Sequence, residues 1–132
     1  MTKTTRGRIL LAEDEEHLAK LILFKLDREG FETVWAENGA AAWDKLSSDT
    51  GGWNLLILDI MMPVMTGLEV LKKVKADPIL QKIPVLILTA KGFRADVAAA
   101  SDLGAEQYMH KPFDPGELVK AVNRMATASD GH

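Results

Sequence analysis

Side chains that could bind a metal ion or take part in catalysis follow four short segments of the sequence. They are three consecutive acids, a lone acid, a hydroxyl and an ammonium group, in the order Glu13, Asp14, Glu15, Asp59, Thr89 and Lys111. Crowded carboxylates repel one another unless a cation neutralises them, and Mg²⁺ prefers such hard oxygen ligands. An aspartate beside Mg²⁺ and an ammonium group could attack phosphorus, because both cations stabilise the oxygens of the transition state. This combination predicts an acyl phosphate on an aspartate.

Each position also has a purely structural interpretation. The acids of residues 13–15 suit the N-terminus of a helix, where they interact favourably with its dipole. Asp59 precedes a turn that contains Pro63, and Lys111 precedes Pro112, so turn chemistry and an ordinary surface lysine would explain them singly. The sites together are harder to explain in this way.

The runs that precede these side chains predict a parallel β-sheet. Three are five residues long, rich in Ile, Leu and Val, and typical of strands covered on both faces: Arg8–Ala12, Asn54–Leu58 and Pro84–Leu88. Two more polar segments suit the sheet edges: Glu32–Ala36 and Glu106–Met109. Helical spacing lies around residues 18–26, 39–47, 68–74, 92–103 and 118–125. The alternation predicts a three-layer α/β sandwich that binds ligands at the carboxyl ends of its strands.

Composition narrows the class of protein. The 132 residues are 47% hydrophobic and 27% charged, as expected of one globular domain. The absence of cysteine excludes disulfides and Cys-ligated metals and fits a reducing cytoplasm. The net charge of −3 offers no electrostatic footprint for nucleic acid. The longest apolar runs are too short to span a membrane, so no membrane insertion is expected. Trp35, Trp43 and Trp53 are interpreted as packing residues.

Four motifs lie where the predicted strands end. They are Ile9-Leu-Leu-Ala-Glu-Asp-Glu15, Leu58-Asp-Ile-Met-Met-Pro-Val-Met-Thr-Gly67, Leu88-Thr-Ala90 and Tyr108-Met-His-Lys-Pro-Phe113. Together they resemble the receiver domains of two-component response regulators. The resemblance covers residues 8–126 and implies a single flavodoxin-like (βα)5 doubly wound fold with strand order 2-1-3-4-5. Residues 1–7 are then expected to form an N-terminal extension, and residues 127–132 a flexible tail.

The resemblance implies a role for each motif residue. Asp59 is the implied phospho-acceptor. Asp14, Asp59 and the main-chain carbonyl of Met61 are the implied ligands of Mg²⁺, for which Mn²⁺ is expected to substitute, and Glu13 would act through a metal-bound water. The implied phosphoryl-binding and switch residues are Thr89, Ala90, Lys111 and Tyr108. The peptide bond before Pro112 is expected to be cis, which costs little at an X–Pro bond.

Two side chains are expected to set the lifetime of the phosphorylated state. In the family, the positions two beyond the acceptor and two beyond the threonine flank the path of the hydrolytic water; here they are Met61 and Lys91. Met61 offers a weak thioether acceptor, and charged Lys91 offers none. Because neither can hold an in-line water well, slow autodephosphorylation is expected.

The function implied by the resemblance is a stand-alone phosphorylation switch and not an enzyme that acts on external substrates. A sensor histidine kinase or a histidine phosphotransfer protein would donate the phosphoryl group. An unidentified output protein would bind the face formed by the fourth helix, fifth strand and fifth helix. No helix-turn-helix pattern follows residue 126, so no direct DNA binding is expected. We expect a cytoplasmic monomer or a weak phosphorylation-dependent dimer.

Three other classes of protein are alternatives. A phosphatase with an aspartate nucleophile would carry a second Asp two residues later, where this chain has Met61. A flavodoxin-like cofactor binder would have a Ser/Thr/Gly-rich phosphate loop after the first strand, where residues 13–15 are acidic. A degenerate receiver that serves as a scaffold would lack part of the residue set that is complete here.

Overall fold

A computed structural model describes residues 6–90 and 94–130, with side chains described through Ala126. Within these residues, five strands form one parallel sheet in the order β2-β1-β3-β4-β5. The strands are β1 Arg8–Ala12, β2 Glu32–Ala36, β3 Leu55–Asp59, β4 Val85–Ala90 and β5 Gln107–Lys111. The helices that follow them are α1 Glu16–Arg28, α2 Gly39–Ser48, α3 Gly67–Ala76, α4 Arg94–Asp102 and α5 Pro115–Asp130. The predicted fold class and strand order are confirmed.

The helices cover both faces of the sheet, and the strand side chains alternate between two apolar layers. Ile9, Leu11, Leu55 and Ile57 pack with α1 and α5. The alternate positions of the same strands pack with α2, α3 and α4. All five residues of β3 are buried, as the run of apolar residues on both faces predicts.

Side-chain caps begin the first three helices just beyond the carboxyl ends of the strands. Glu15 accepts from the N–H groups of His17 and Leu18 at the start of α1, and Asn38 accepts from Ala41 N at the start of α2. Thr66 forms a reciprocal capping box with Glu69 at the start of α3. These caps satisfy N–H groups that have no partner inside the helix. The structural interpretation therefore holds for Glu15, whose carboxylate is used in capping.

Several element bounds differ from the sequence-based expectation. β4 continues to Ala90 and β5 to Lys111, so the polar end of each strand belongs to the sheet. The backbone of α5 is helical to Asp130, four residues past the expected boundary at 126. Arg6 joins the fold through an N–H bond to the Gly30 carbonyl at 2.9 Å. Among the described residues, no helix is both long and apolar enough to cross a membrane.

Candidate functional site

Three of the predicted site residues meet because they lie on the same face of the sheet. Successive side chains of a strand point to opposite faces of the sheet, so every second residue shares a face. Glu13 shares its face with Ile9 and Leu11, and Asp59 shares its face with Leu55 and Ile57. Both carboxylates therefore face the side covered by α1 and α5. Lys111 reaches them from β5. Its Nζ lies 2.9 Å from Glu13 Oε1 and 3.0 Å from Asp59 Oδ2. One ammonium group thus bridges two carboxylates from different strands.

The exposed carboxylate of Asp14 joins Glu13 and Asp59 in an acidic cluster. One carboxylate oxygen each from Glu13, Asp14 and Asp59 lies within 4.8 Å of the others. Glu13 and Asp59 are buried, whereas Asp14 is exposed. Three carboxylates against one ammonium leave the site with excess negative charge, which favours a cation.

The buried oxygens of this cluster suit a divalent cation. Glu13 Oε2 accepts from Glu15 N at 3.0 Å, and Glu13 Oε1 forms the 2.9 Å ion pair with Lys111. Asp59 Oδ1 accepts from Met61 N at 3.2 Å. Hard carboxylate oxygens of this kind, next to an exposed carboxylate, are the ligands that Mg²⁺ uses when it keeps several waters. The residues present therefore fit Mg²⁺.

Burial and neighbouring charges raise the pKa values of Glu13 and Lys111. Burial raises the pKa of Glu13 from 4.5 to about 7, against the hydrogen bonds from Lys111 and Glu15 N, and repulsion from Asp59 adds to the effect. Burial alone would lower the pKa of Lys111, but its contacts with Glu13 and Asp59 outweigh burial and raise the pKa above 10.5. Lys111 therefore keeps its positive charge, whereas Glu13 is a much weaker acid than an exposed glutamate.

Thr89 lies on the opposite face of the sheet from this cluster. It is 1% exposed, and its hydroxyl donates to the Ala90 carbonyl at 3.4 Å. The Tyr108 hydroxyl donates to the Ala105 carbonyl at 3.5 Å, and its ring packs with the layer of α2, α3 and α4. The two implied switch residues Thr89 and Tyr108 are therefore not joined by a direct hydrogen bond in this structure.

The structure describes all but one of the remaining predicted residues. The Lys111–Pro112 bond is cis, as expected. The Met61 side chain is 55% exposed beside Asp59. Gly67 lies so close to the Asp59 carbonyl that a Cβ at this position would collide with it. Lys91 lies outside the described residues.

Sequence reasoning missed one contact of the site. Trp35, interpreted as a packing residue, donates from its indole Nε1 to the main-chain carbonyl of Glu13 at 2.8 Å. Its position opposite Leu11 in the β1–β2 register brings it there. The sequence offered one signal for this contact, because Trp35 lies near the end of a predicted edge strand and carries an indole N–H.

The comparisons with known proteins agree with this geometry. The family profile described as "Response regulator receiver domain" matches residues 9–123. The chain is 35% identical over 126 residues to the uncharacterized transcriptional regulatory protein YkoG of Bacillus subtilis, covering 96% of this chain and 53% of that protein. It is 39% identical to the phosphate regulon transcriptional regulatory protein PhoB of Klebsiella pneumoniae, covering 89% of this chain and 52% of that protein.

The fold also matches solved receivers. A response regulator receiver domain protein from Clostridium thermocellum superposes with a TM-score of 0.85 at 26% identity, covering 94% of this chain and 97% of that one. The chain belongs to the receiver-domain family of two-component response regulators. It spans about half the length of the curated relatives it matches.

Proposed function

We propose that this domain accepts a phosphoryl group on Asp59 in a Mg²⁺-dependent reaction and thereby switches the binding of a partner. The observation that carries the proposal is the bridge from Lys111 to Asp59 and Glu13, with the Asp14 carboxylate beside it. It joins a nucleophile, a fixed positive charge and oxygen ligands for a cation within one cleft.

The chain's own residues account for the chemistry as follows. A carboxylate oxygen of Asp59 attacks phosphorus, and the P–N bond to the donor imidazole breaks. The imidazole leaves with the bonding electron pair and takes a proton from solvent. Lys111 stabilises the phosphoryl oxygens as a point charge, and Thr89 receives one of them after the chain around it moves. Met61 N already holds Asp59 Oδ1, so the nucleophile is oriented before the donor arrives.

Mg²⁺, with Mn²⁺ as a substitute, would be held by Asp14, Asp59 and the Met61 carbonyl, with Glu13 acting through water. When bound, the metal would neutralise charge on the transferred oxygens. Apart from transfer to and from Asp59, we propose no catalysis on external substrates.

The switch follows from the added charge. A phosphoryl group brings about −1.5 to −2 charges to a cleft whose positive charge is supplied by Lys111, so Lys111 and Thr89 are drawn toward it. Thr89 belongs to β4, which contacts α4, and Lys111 ends the neighbouring strand β5, whose Tyr108 packs with the layer of α2, α3 and α4. The face made by α4, β5 and α5 is therefore the proposed site of phosphorylation-dependent binding, biased between two pre-existing conformations.

The proposed donor is a phosphohistidine of a sensor kinase or phosphotransfer protein. A partly apolar hollow of about 320 Å³ beside the site could seat such a partner; it is lined by Glu15, Leu18, Lys111, Pro112 and Phe113. The output protein is unidentified, and we propose a cytoplasmic monomer or weak phosphorylation-dependent dimer. The matched relatives YkoG and PhoB are named as transcriptional regulators. The absence of direct DNA binding therefore remains a prediction, and it concerns only the receiver residues of this chain.

Intact-mass measurement tests the proposal. Wild-type protein incubated with acetyl phosphate and Mg²⁺ should gain the mass of one phosphoryl group, and chelation of Mg²⁺ should abolish the gain. Asp59→Asn should stay unmodified under the same conditions. Equal modification of Asp59→Asn, or modification without any divalent cation, would overturn the proposal.

A further inference from the structure

The main chain of Glu13 is held by β2 through both of its polar groups. The Glu13 N–H donates to the Ala36 carbonyl at 3.1 Å, and the Glu13 carbonyl accepts from Trp35 Nε1 at 2.8 Å. The paired register of β1 and β2 ends at Ala12 and Ala36. The indole therefore extends the pairing of these strands by one residue, with a side-chain donor in place of a main-chain one.

Asp14 depends on this contact more than the other acids do. The carboxylates of Glu13 and Asp59 are both held by Lys111. Within residues 6–90 and 94–130, the exposed carboxylate of Asp14 has no hydrogen-bond or ion-pair partner. Its location is therefore set by its main chain, and its N–H belongs to the same peptide group as the Glu13 carbonyl.

We infer that Trp35 is a positioning residue for the Mg²⁺ site, because its indole N–H orients the Glu13–Asp14 peptide and so aims the Asp14 carboxylate at Glu13 and Asp59. The inference rests on the proposed function. Without this donor the Glu13 carbonyl loses its partner and the peptide can rotate. The three carboxylate oxygens, which now lie within 4.8 Å of one another, would then be this close only part of the time. Mg²⁺ would bind more weakly, while the nucleophile Asp59 would be untouched.

A purely structural role for Trp35 makes a different prediction. The ring is half-buried and packs against the α1 and α5 layer, so its loss could lower stability without any effect on the metal. The chain offers a matched control in Trp43, a half-buried tryptophan on α2. Its ring lies 5.5 Å from Lys73 Nζ, and its indole N–H makes no hydrogen bond among the described residues.

The experiment measures Mg²⁺ affinity directly, without a phosphodonor, by titrating MgCl₂ and following backbone amide shifts. Wild type, Trp35→Phe, Trp43→Phe and Asp14→Ala are compared, together with a protein whose Trp35 indole is replaced by benzothiophene. That last change exchanges the N–H for sulfur within the same ring shape, and it decides the question if Trp35→Phe fails to fold. Melting temperatures without Mg²⁺ are recorded for every variant.

Loss of the indole donor should weaken Mg²⁺ binding by about tenfold, in the direction of Asp14→Ala. Trp43→Phe should bind as wild type does. In phosphorylation by acetyl phosphate, Trp35→Phe should need about tenfold more Mg²⁺ than wild type to reach its half-maximal rate. A lower melting temperature with unchanged Mg²⁺ affinity would overturn the inference and leave the proposed function standing. Absence of Mg²⁺ binding by wild type would instead refute the proposed function, and the inference with it.

Discussion

Lys111 balances two buried carboxylates with one charge. It lies within 3.0 Å of both Glu13 and Asp59. Under the proposed function, a phosphoryl group on Asp59 would add negative charge on its oxygens, and the ammonium would be drawn from the carboxylates toward them. Because Lys111 is the last residue of β5, we expect its displacement to be transmitted along that strand.

Lys111→Ala should therefore separate phosphorylation from its structural response. Asp59 should still accept a phosphoryl group from acetyl phosphate, since the cation ligands are intact, but the amide shifts of β5 and α4 should change far less than in wild type. Lys120→Ala is the control, because Lys120 is an exposed lysine of α5 that forms an ion pair with Glu117. Wild-type shift changes in phosphorylated Lys111→Ala would argue against the coupling role.

Glu13 should make the metal-free protein sensitive to pH. Its pKa is about 7 in the folded protein against 4.5 ordinarily, so the folded state retains a proton that the unfolded chain has lost between those values. The stability contributed by this proton is full below pH 4.5 and is lost as pH rises through about 7. Mg²⁺ competes with that proton, so it should raise the melting temperature more at about pH 8 than at about pH 6.

Melting curves of wild type and Glu13→Gln, with and without Mg²⁺, test this expectation. The Gln side chain carries no titrating proton, so the variant should lose this part of the pH dependence. Identical pH profiles for the two proteins would show that Glu13 does not titrate in this range.

Met61 and Lys91 are predicted to lengthen the life of the phosphorylated state. The exposed side chain of Met61 stands beside the acceptor without a strong hydrogen-bonding group to hold water. The double variant Met61→Asn with Lys91→Glu should lose its phosphoryl group faster than wild type, as followed by intact mass over time after removal of the donor. Each single variant is measured alongside, and equal or slower decay in the double variant would contradict the prediction.

At the scale of elements, the turn from β3 into α3 holds Asp59 in place. Gly67 N donates to the Ile60 carbonyl at 3.0 Å, and a methyl group on Gly67 would collide with the Asp59 carbonyl. Gly67→Ala should therefore cost roughly 1–3 kcal/mol of unfolding free energy and also slow phosphorylation. Gly51→Ala is the control, since a Cβ there meets no atom within 4 Å. Denaturant melts and acetyl phosphate kinetics measure both effects, and a neutral Gly67→Ala would refute this role of the turn.

At the same scale, the strands were located correctly where both faces of the sheet are buried, but their ends were predicted less accurately where the last residues are polar. The strand β3 runs from Leu55 to Asp59, one residue later than the predicted Asn54–Leu58, and β5 continues past Met109 to Lys111. Hydropathy cannot mark such ends, because the last residues pair with a neighbouring strand through their main chain. The cap at Asn38 and the turn at Gly104, whose φ is positive, follow instead from residue type, because Asn favours helix N-caps and Gly adopts positive φ without strain.

At the scale of the whole molecule, strand polarity predicted the convergence of the site, since every parallel strand delivers its last residue to one edge. The family resemblance supplied the individual roles. Neither could supply the direct contact of Lys111 with both acids or the indole bond of Trp35, because both depend on side-chain conformations and on strand register.

The two ends of the sheet differ in what they are built to do. At the amino end, Arg8 lies 4.0 Å over the Trp53 ring and 2.8 Å from Asp49, so its charge is matched by a local partner. At the carboxyl end, three acids face one lysine, and this excess of negative charge fits a cation.

The most direct test asks which carboxylate of the cluster carries the phosphoryl group. Protein phosphorylated by acetyl phosphate with Mg²⁺ is reduced with borohydride, which converts a phosphorylated aspartate to homoserine, and the peptides are sequenced by mass spectrometry. We predict homoserine at position 59 alone, and its absence when Mg²⁺ is withheld. Homoserine at position 14, or none at position 59 in protein that has gained a phosphoryl group, would contradict the assignment of Asp59 as the acceptor.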